Sequence, residues 1–290
     1  MTADHHTTIG HALAIQFDDV SVWVANGPTI LDHLTWHVGI GQRWALLGPN
    51  GSGKSTTLTL AGAVRHPSQG HASVLGSQFG KTDIPKLRES IGYVESGAQS
   101  LDWLTGEEVV LTGIGSTLRP LWWNYTDADR ARARDMLDLL GCGDLADREI
   151  KTCSQGERGR IRIARALVTQ PRLLLLDEPA VGLDLAAREA LIAALDRLAY
   201  ERPEMTTVIV SHHLEELPGS TTHALLLNSG RAVAEGPIDE ILTSENLSMC
   251  FGLPVVCRHD GDRWFARAAA SWARTSGAPA VALAGGGRVR

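Results

Sequence analysis

Residues 48–56 read Gly48-Pro49-Asn50-Gly51-Ser52-Gly53-Lys54-Ser55-Thr56 and fit the phosphate-loop template G-x-x-x-x-G-K-[ST] from Gly48 through Ser55. The chemistry this spacing allows is the capture of a polyphosphate. Glycines let the backbone curl with its N–H groups aimed inward. The helix expected to follow would turn the positive end of its dipole to the same anion. Lys54 adds a point charge for the β- and γ-phosphates of a nucleotide, and the Ser55 hydroxyl can ligate Mg²⁺. A Gly-rich turn beside a surface lysine is the plainer alternative, and eight specified features in order weigh against it.

A second constellation lies at 172–179, Arg172-Leu173-Leu174-Leu175-Leu176-Asp177-Glu178-Pro179. Four leucines in a row suit a strand covered on both faces. The carboxylates then fall at the end where open α/β sheets place ligands. Asp177 would hold Mg²⁺ through its water shell, and Glu178 would orient and deprotonate an attacking water. Two surface acids capping the next element would be the ordinary reading without the upstream loop. Between these motifs stands Thr152-Cys153-Ser154-Gln155-Gly156-Glu157-Arg158. Ser154 with Glu157 three residues on is a capping-box pattern. A serine hydroxyl and free N–H groups at a helix start also form an anion site.

The elements that must position these groups follow from periodicity. His11 to Val24 alternates, Asn26-Gly27-Pro28 turns, and Thr35 to Val38 returns as strand. Trp44 to Leu47 leads into the phosphate loop as a buried strand, and Thr56 to Ala61 leads out as helix. A β segment is expected over 71–75, a short buried strand over 91–95, and helices over 127–140, with Asp127 as N-cap, and 157–168. Beyond Pro171, β and α alternate over 173–176, 185–198 and 207–210, and a hairpin follows over 224–227 and 232–235. Strands separated by helices imply a mainly parallel sheet. From about residue 267 the chain is rich in Ala and Gly without periodicity, the pattern of a frayed end.

Bulk properties narrow the function classes. The chain has 290 residues, 43% hydrophobic and 21% charged, ordinary for a globular protein. A formal net charge of −6 argues against a general nucleic-acid binder. No apolar run approaches the roughly 20 residues a bilayer span needs. The polar start Met1 to His6 lacks the apolar core of a signal peptide. Cys142, Cys153, Cys250 and Cys257 lack metal-ligand spacing and read as reduced thiols packed as small hydrophobes. His5-His6 and His212-His213 are expected to be poor metal candidates, since adjacent histidines point in different directions.

Taken together, Gly48 to Thr56, the 153–157 segment and Asp177-Glu178 resemble the ABC-type ATPases, the nucleotide-binding subunits of ATP-binding-cassette transporters. The resemblance covers about residues 11–250. It implies an α/β P-loop NTPase fold of ABC type, with an N-terminal antiparallel β subdomain and an inserted α-helical subdomain over about 99–168. Residues 251–290 would form a C-terminal extension. The family signature, usually Leu-Ser-Gly-Gly-Gln, reads Cys153-Ser154-Gln155-Gly156-Glu157 here. By the resemblance, Ser154, Gln155, Gly156 and Glu157 meet the γ-phosphate on a partner's phosphate loop. Gly182-Leu183-Asp184 is similar to the D-loop, placing Asp184 at a dimer interface. Val210-Ser211-His212 is similar to the switch segment, with His212 at the γ-phosphate and His213 the lower-ranked choice.

Two positions depart from the family pattern. The lid glutamine is expected two residues after the 91–94 strand, where Ser96 stands; Gln99 or Ser96 would sense Mg²⁺. The aromatic that stacks on adenine is assigned to Trp23, with Val22 or Val24 in that place if Trp23 is a core residue. The resemblance further implies ATP and Mg²⁺, hydrolysis by Glu178 and His212, and a homodimer or heterodimer of ATPase subunits. Transmembrane permease subunits would be partners, contacted near 96–99, with the chain peripheral on the cytoplasmic face of the cell membrane. The style of Thr35-Trp36, 43–47 and the signature is similar to the branch of iron and molybdate transport. A soluble ATPase acting on ribosomes or DNA is the rival. One phosphate loop, one signature and no coiled-coil insert disfavour it. A non-hydrolysing scaffold is disfavoured by the intact Glu178 and His212. The adjacent Trp122 and Trp123 could face a partner or fold back on their own subdomain.

Overall fold

The structure is a computed structural model that describes residues 12–25, 27–95, 102–115, 117, 119–120 and 125–275. Its centre is a six-stranded sheet in the order β10-β9-β3-β8-β7-β6. The strands are β3 (Arg43–Leu47), β6 (Ile91–Val94), β7 (Leu173–Asp177), β8 (Thr206–Ser211), β9 (His223–Asn228) and β10 (Arg231–Pro237). All neighbouring pairs are parallel except β9–β10, the hairpin expected from Asn228-Ser229-Gly230. Parallel strands need cover on both faces, and the leucine run shows how it is arranged. Leu173 and Leu175 enter the core shared with the antiparallel sheet, whereas Leu174 and Leu176 enter the core under the helices. β3 splits the same way: Trp44 and Leu46 go to one core, Ala45 and Leu47 to the other. The period of two in side-chain direction thus builds two layers from one apolar run.

Beside it lies a four-stranded antiparallel sheet ordered β2-β1-β4-β5. It comprises β1 (Leu13–Trp23), β2 (Thr29–Gly39), β4 (Gln69–Val74) and β5 (Ser77–Gln78). Phe17, Trp36 and Trp44 weld it to the central sheet, edge to face, at centroid distances of 5.9 and 5.6 Å. The β9–β10 turn adds a polar tie. Gly230 N donates to Ser52 O at 2.9 Å, and Asp32 N donates to Gly230 O at 3.0 Å. Arg231 closes the tie onto the Asp32 carboxylate at 2.6 Å.

Helices α1 (Lys54–Ala61), α2 (Ile84–Arg88), α3 (Gly106–Leu111), α4 (Asp127–Leu139), α5 (Gln155–Leu167) and α6 (Leu185–Glu201) complete the main body. Two helix starts differ from expectation. The cap of α4 is Thr126, whose hydroxyl accepts from Asp129 N while the Asp129 side chain accepts from Thr126 N. Asp127 has no acid three residues on to complete such a box, so the reciprocal pair selects Thr126. Helix α5 begins at Gln155, not 157, because Ser154 caps it. After α7 (Ile238–Ile241) and α8 (Ser244–Phe251) the chain forms a hairpin, β11 (Val255–Asp260) and β12 (Arg263–Ala268), then α9 (Ala270–Thr275). A frayed end was expected from about 267. Instead β12 runs to Ala268 and a short helix follows to Thr275, because Trp264 anchors the hairpin in a core with Leu214, Leu217 and Leu247. Burial pushes the Cys142 and Cys250 thiols up to about 11, which keeps them protonated as packed apolar groups. Among the described residues no helix is long and apolar enough to cross a membrane.

Candidate functional site

Strand β3 delivers the phosphate loop into the C-terminal edge of the sheet, and α1 leaves it. Gly48 has φ 152°, and a Cβ there would lie 2.0 Å from Leu227 O. No side chain fits, so the strand-to-loop bend needs glycine. The start of α1 carries no side-chain cap and no acid in its first turn. Its first N–H groups are therefore left for an external acceptor. Asn50, Gly51 and Ser55 are exposed, Pro49, Gly53 and Thr56 are half-buried, and Ser52 and Lys54 are buried. Lys54 folds back over the loop, its Nζ donating to Gly48 O at 2.8 Å and Pro49 O at 3.0 Å. Burial lowers its pKa, while the charges of Glu178 and Asp177 oppose that shift. Among the described residues this buried cation, beside two carboxylates, hydrogen-bonds to backbone carbonyls.

Asp177 is 7% exposed, and its Oδ1 is buried with no hydrogen-bond partner among the described residues. Burial raises its pKa, and the neighbouring Ser55 hydroxyl works the other way. An orphaned carboxylate oxygen beside a hydroxyl fits a small hard cation that keeps several waters and phosphate oxygens as ligands. Among the described residues no group of three His, Cys, Asp or Glu could hold a metal by itself.

Glu178 takes a left-handed backbone, φ 49°, and its N donates to Val210 O at 3.1 Å. A non-glycine residue held there stores strain that its surroundings must impose. The result aims its carboxylate at the next strand's end, where His212 Nδ1 lies 3.3 Å from Glu178 Oε1. His213 points instead to Glu215, at 3.8 Å, and its ring packs on His212 at 4.2 Å. The structure therefore brings Glu178, His212, Asp177 and Ser55 together, with Lys54 close by. It also adds a residue the sequence reading missed. Glu216 Oε2 lies 2.6 Å from Ser211 Oγ, which in turn accepts from His213 N, so a side-chain staple fixes the switch turn. A surface acid five residues from a serine carries no local signal of that role.

The signature segment lies elsewhere. Ser154 N donates to Glu157 Oε2 at 2.7 Å, and Glu157 N donates to Ser154 Oγ at 3.3 Å. The capping box leaves the Ser154 hydroxyl proton free, and Ser154 and Gln155 are exposed. Gly156 is buried against Ala187 of α6, and Gln155 Nε2 donates to Val181 O at 3.0 Å. Signature and D-loop are thus one unit, ending at Asp184, which caps α6 by accepting from Ala187 N at 2.8 Å. Among the described residues no hydrogen bond or ion pair joins 154–157 to 48–56. Trp23 stands at the end of β1, 44% exposed, with Val22 buried and Val24 also exposed. It is not a core residue. Gln99, Ser96, Trp122 and Trp123 lie outside the described residues.

A P-loop on a parallel sheet, a capped signature helix and a strained glutamate facing a histidine define a nucleotide-hydrolysing cassette. The chain belongs to the ABC transporter family, whose profile matches residues 31–181. It is an ATP-binding subunit of that family and an ATPase. It is 38% identical over 244 residues to a provisionally named ABC transporter ATP-binding protein of Streptococcus mutans, covering 82% of this chain and 93% of the relative. A provisionally assigned metal-chelate type ABC transporter, solved facing inward, superposes with a TM-score of 0.71. It is 30% identical and the match covers 88% of this chain and 96% of that one. The ATP-binding cassette MJ0796, solved as a dimer with ADP and phosphate after hydrolysis, superposes with a TM-score of 0.66. There the identity is 25%, over 77% of this chain and 98% of that one.

Proposed function

We propose that two ATPase subunits, two copies of this chain or this chain and a related one, close head-to-tail around two ATP molecules. Each ATP lies between Gly48–Thr56 of one subunit and Ser154, Gln155, Gly156 and Glu157 of the other. The observation that carries this reading is the pair of half-sites. The phosphate loop and the signature serine both reach solvent, and among the described residues no hydrogen bond or ion pair joins them. The D-loop supports it: Val181 and Leu185, beside Asp184, are 40% and 67% exposed, apolar surface suited to a seam between subunits. The dimeric MJ0796 cassette with ADP and phosphate supports the same assembly.

Within each site Lys54 exchanges its carbonyl partners for the β- and γ-phosphates. Glu178 accepts a proton from the attacking water, which it also aims, and His212 donates a hydrogen bond to the γ-phosphate. Trp23 offers an exposed indole to the adenine face. Ser55 and Asp177, with Gln99 as the expected lid residue, would hold Mg²⁺, which when bound neutralises charge on the phosphate oxygens. ATP favours the closed pair, and loss of the γ-phosphate reopens it. ABC ATP-binding subunits partner with transmembrane permeases. For this chain the permeases would be separate membrane proteins, with the subunit peripheral on the cytoplasmic face. Likeness to a metal-chelate type transporter supports a chelated metal as cargo.

The test is a Glu178→Gln variant, with turnover followed by phosphate release and mass by light scattering. Turnover falls roughly 100-fold or more while ATP still binds, and the variant accumulates as a dimer with ATP. A variant that stays monomeric at saturating ATP refutes the shared site. Wild-type turnover removes Glu178 from the chemistry.

A further inference from the structure

The segment beyond residue 250 carries no sequence motif, yet its hairpin reaches the elements that frame the hydrolytic residues. Trp264, 9% exposed, shares a core with Leu214 and Leu217, which flank the switch turn, and with Leu47, the last residue of β3 before the phosphate loop. Asp262 packs on the same stretch: a Cβ built at Gly219 would lie 3.1 Å from its side chain.

Arg263 makes the polar connection. Its side chain is 17% exposed. Its Nη1 donates to Glu189 Oε2 at 2.8 Å and its Nη2 to Glu189 Oε1 at 3.4 Å. Nη2 also donates to the carbonyl of Glu215. Glu189 lies on α6, five residues beyond the Asp184 cap. Glu215 lies in the turn three residues after His212. One guanidinium therefore joins the helix that begins at the D-loop to the turn that carries the switch histidine. The side-chain type matters. The planar fork spans both carboxylate oxygens and a carbonyl, whereas a lysine ammonium is a single point donor on a flexible stem.

The His212 side chain approaches Glu178 at 3.3 Å and lies against the His213 ring, and among the described residues these are its polar and ring contacts. Its position is inherited from the turn, which Glu216 staples from within and Arg263 from outside. We infer that Arg263 is a positioning residue for ATP hydrolysis, tying the Glu215 carbonyl to the Glu189 carboxylate and so fixing His212 against Glu178. The inference rests on the reading that His212 serves the γ-phosphate.

The test compares the purified full-length chain with Arg263→Ala, Arg263→Lys, Glu189→Gln, His212→Ala and the double variant Arg263→Ala/His212→Ala. ATP turnover is measured against ATP concentration. Arg263→Ala lowers kcat by roughly tenfold to 100-fold, the scale of a catalytic group displaced by about 1 Å, with KM for ATP within about twofold. Arg263→Lys and Glu189→Gln lose kcat in the same way, and they carry the test if Arg263→Ala fails to fold. The double variant is no slower than His212→Ala alone, because both changes act through one group. Wild-type kcat in Arg263→Lys and Glu189→Gln overturns the inference. A loss in the double variant that multiplies the two single losses also overturns it, placing Arg263 on another route. Wild-type turnover in His212→Ala overturns the histidine reading itself, and this control separates the two failures.

Discussion

Replacing Gly156 by alanine separates the two halves of the proposed site. The added Cβ would lie 2.6 Å from Ala187 Cβ, whereas carbon atoms pack at about 3.5–4.0 Å. Ala187 cannot give way cheaply, because its N–H is held by Asp184 at 2.8 Å in the first turn of α6. The starts of α5 and α6 must therefore part by roughly 1 Å. Overpacking of this kind costs about 1–3 kcal/mol, a melting shift of roughly 2–10 °C for a chain of this size. The displaced group is the exposed Ser154 end of α5, which in the proposed assembly would meet nucleotide only across the subunit seam. ATP turnover should thus fall roughly 100-fold, as for other misplacements of that size. Affinity for ATP in the monomer should hold within about twofold, since the phosphate loop lies elsewhere. Isothermal titration gives the affinity, phosphate release the turnover, and light scattering in a Glu178→Gln background the dimer. Wild-type turnover in a folded Gly156→Ala protein refutes the argument, and so does a loss confined to monomer affinity.

Lys54→Ala should abolish nucleotide binding in titration calorimetry, and retained tight affinity would contradict its phosphate role. Asp177→Asn should melt at a higher temperature than wild type at pH 7 without nucleotide while hydrolysing no ATP. Burial raises the Asp177 pKa above its unfolded value. At neutral pH the folded state thus carries a desolvated charge, relieved as pH falls through the raised pKa. The stability gap between variant and wild type should accordingly narrow in acid, and a gap of opposite sign at pH 7 would show that attraction to Lys54 outweighs desolvation of Asp177. Trp23→Ala should weaken adenine nucleotides by about 1–3 kcal/mol while leaving inorganic triphosphate unaffected. Equal affinity for ATP in both proteins would end the stacking role.

The parts of the site that were legible in the sequence are those whose physics is local. The phosphate loop, the leucine strand with its two acids and the Ser154–Glu157 box each complete themselves within a few residues. Boundaries were less legible. The apolar rhythm of α5 becomes regular only from Ile161, so the helix seemed to start late, although the capping pair marks its start at Ser154. At α4 two adjacent residues could cap, and only Asp129 decides between them. The C-terminal hairpin went unseen because its inward set, Trp264 with the half-buried Val255 and Cys257, is too short an alternation to announce two strands. The run Asp260-Gly261-Asp262, with Gly261 at φ 62°, was the available turn signal. Arg263 and Glu189 lie 74 residues apart, and nothing local predicts their meeting. The strain at Glu178 was equally hidden, since its left-handed backbone comes from the end of β8.

The Ser229–Gly230 turn has a mechanical implication. It fastens the loop expected to grip the triphosphate to the strand layer expected to cradle the base, so both ends of one nucleotide sit on a single stiff platform. ATP can then dock without remodelling that platform. If two subunits close as proposed, the travel that does work on a membrane partner would fall to the helical block bearing Ser154 rather than to this platform.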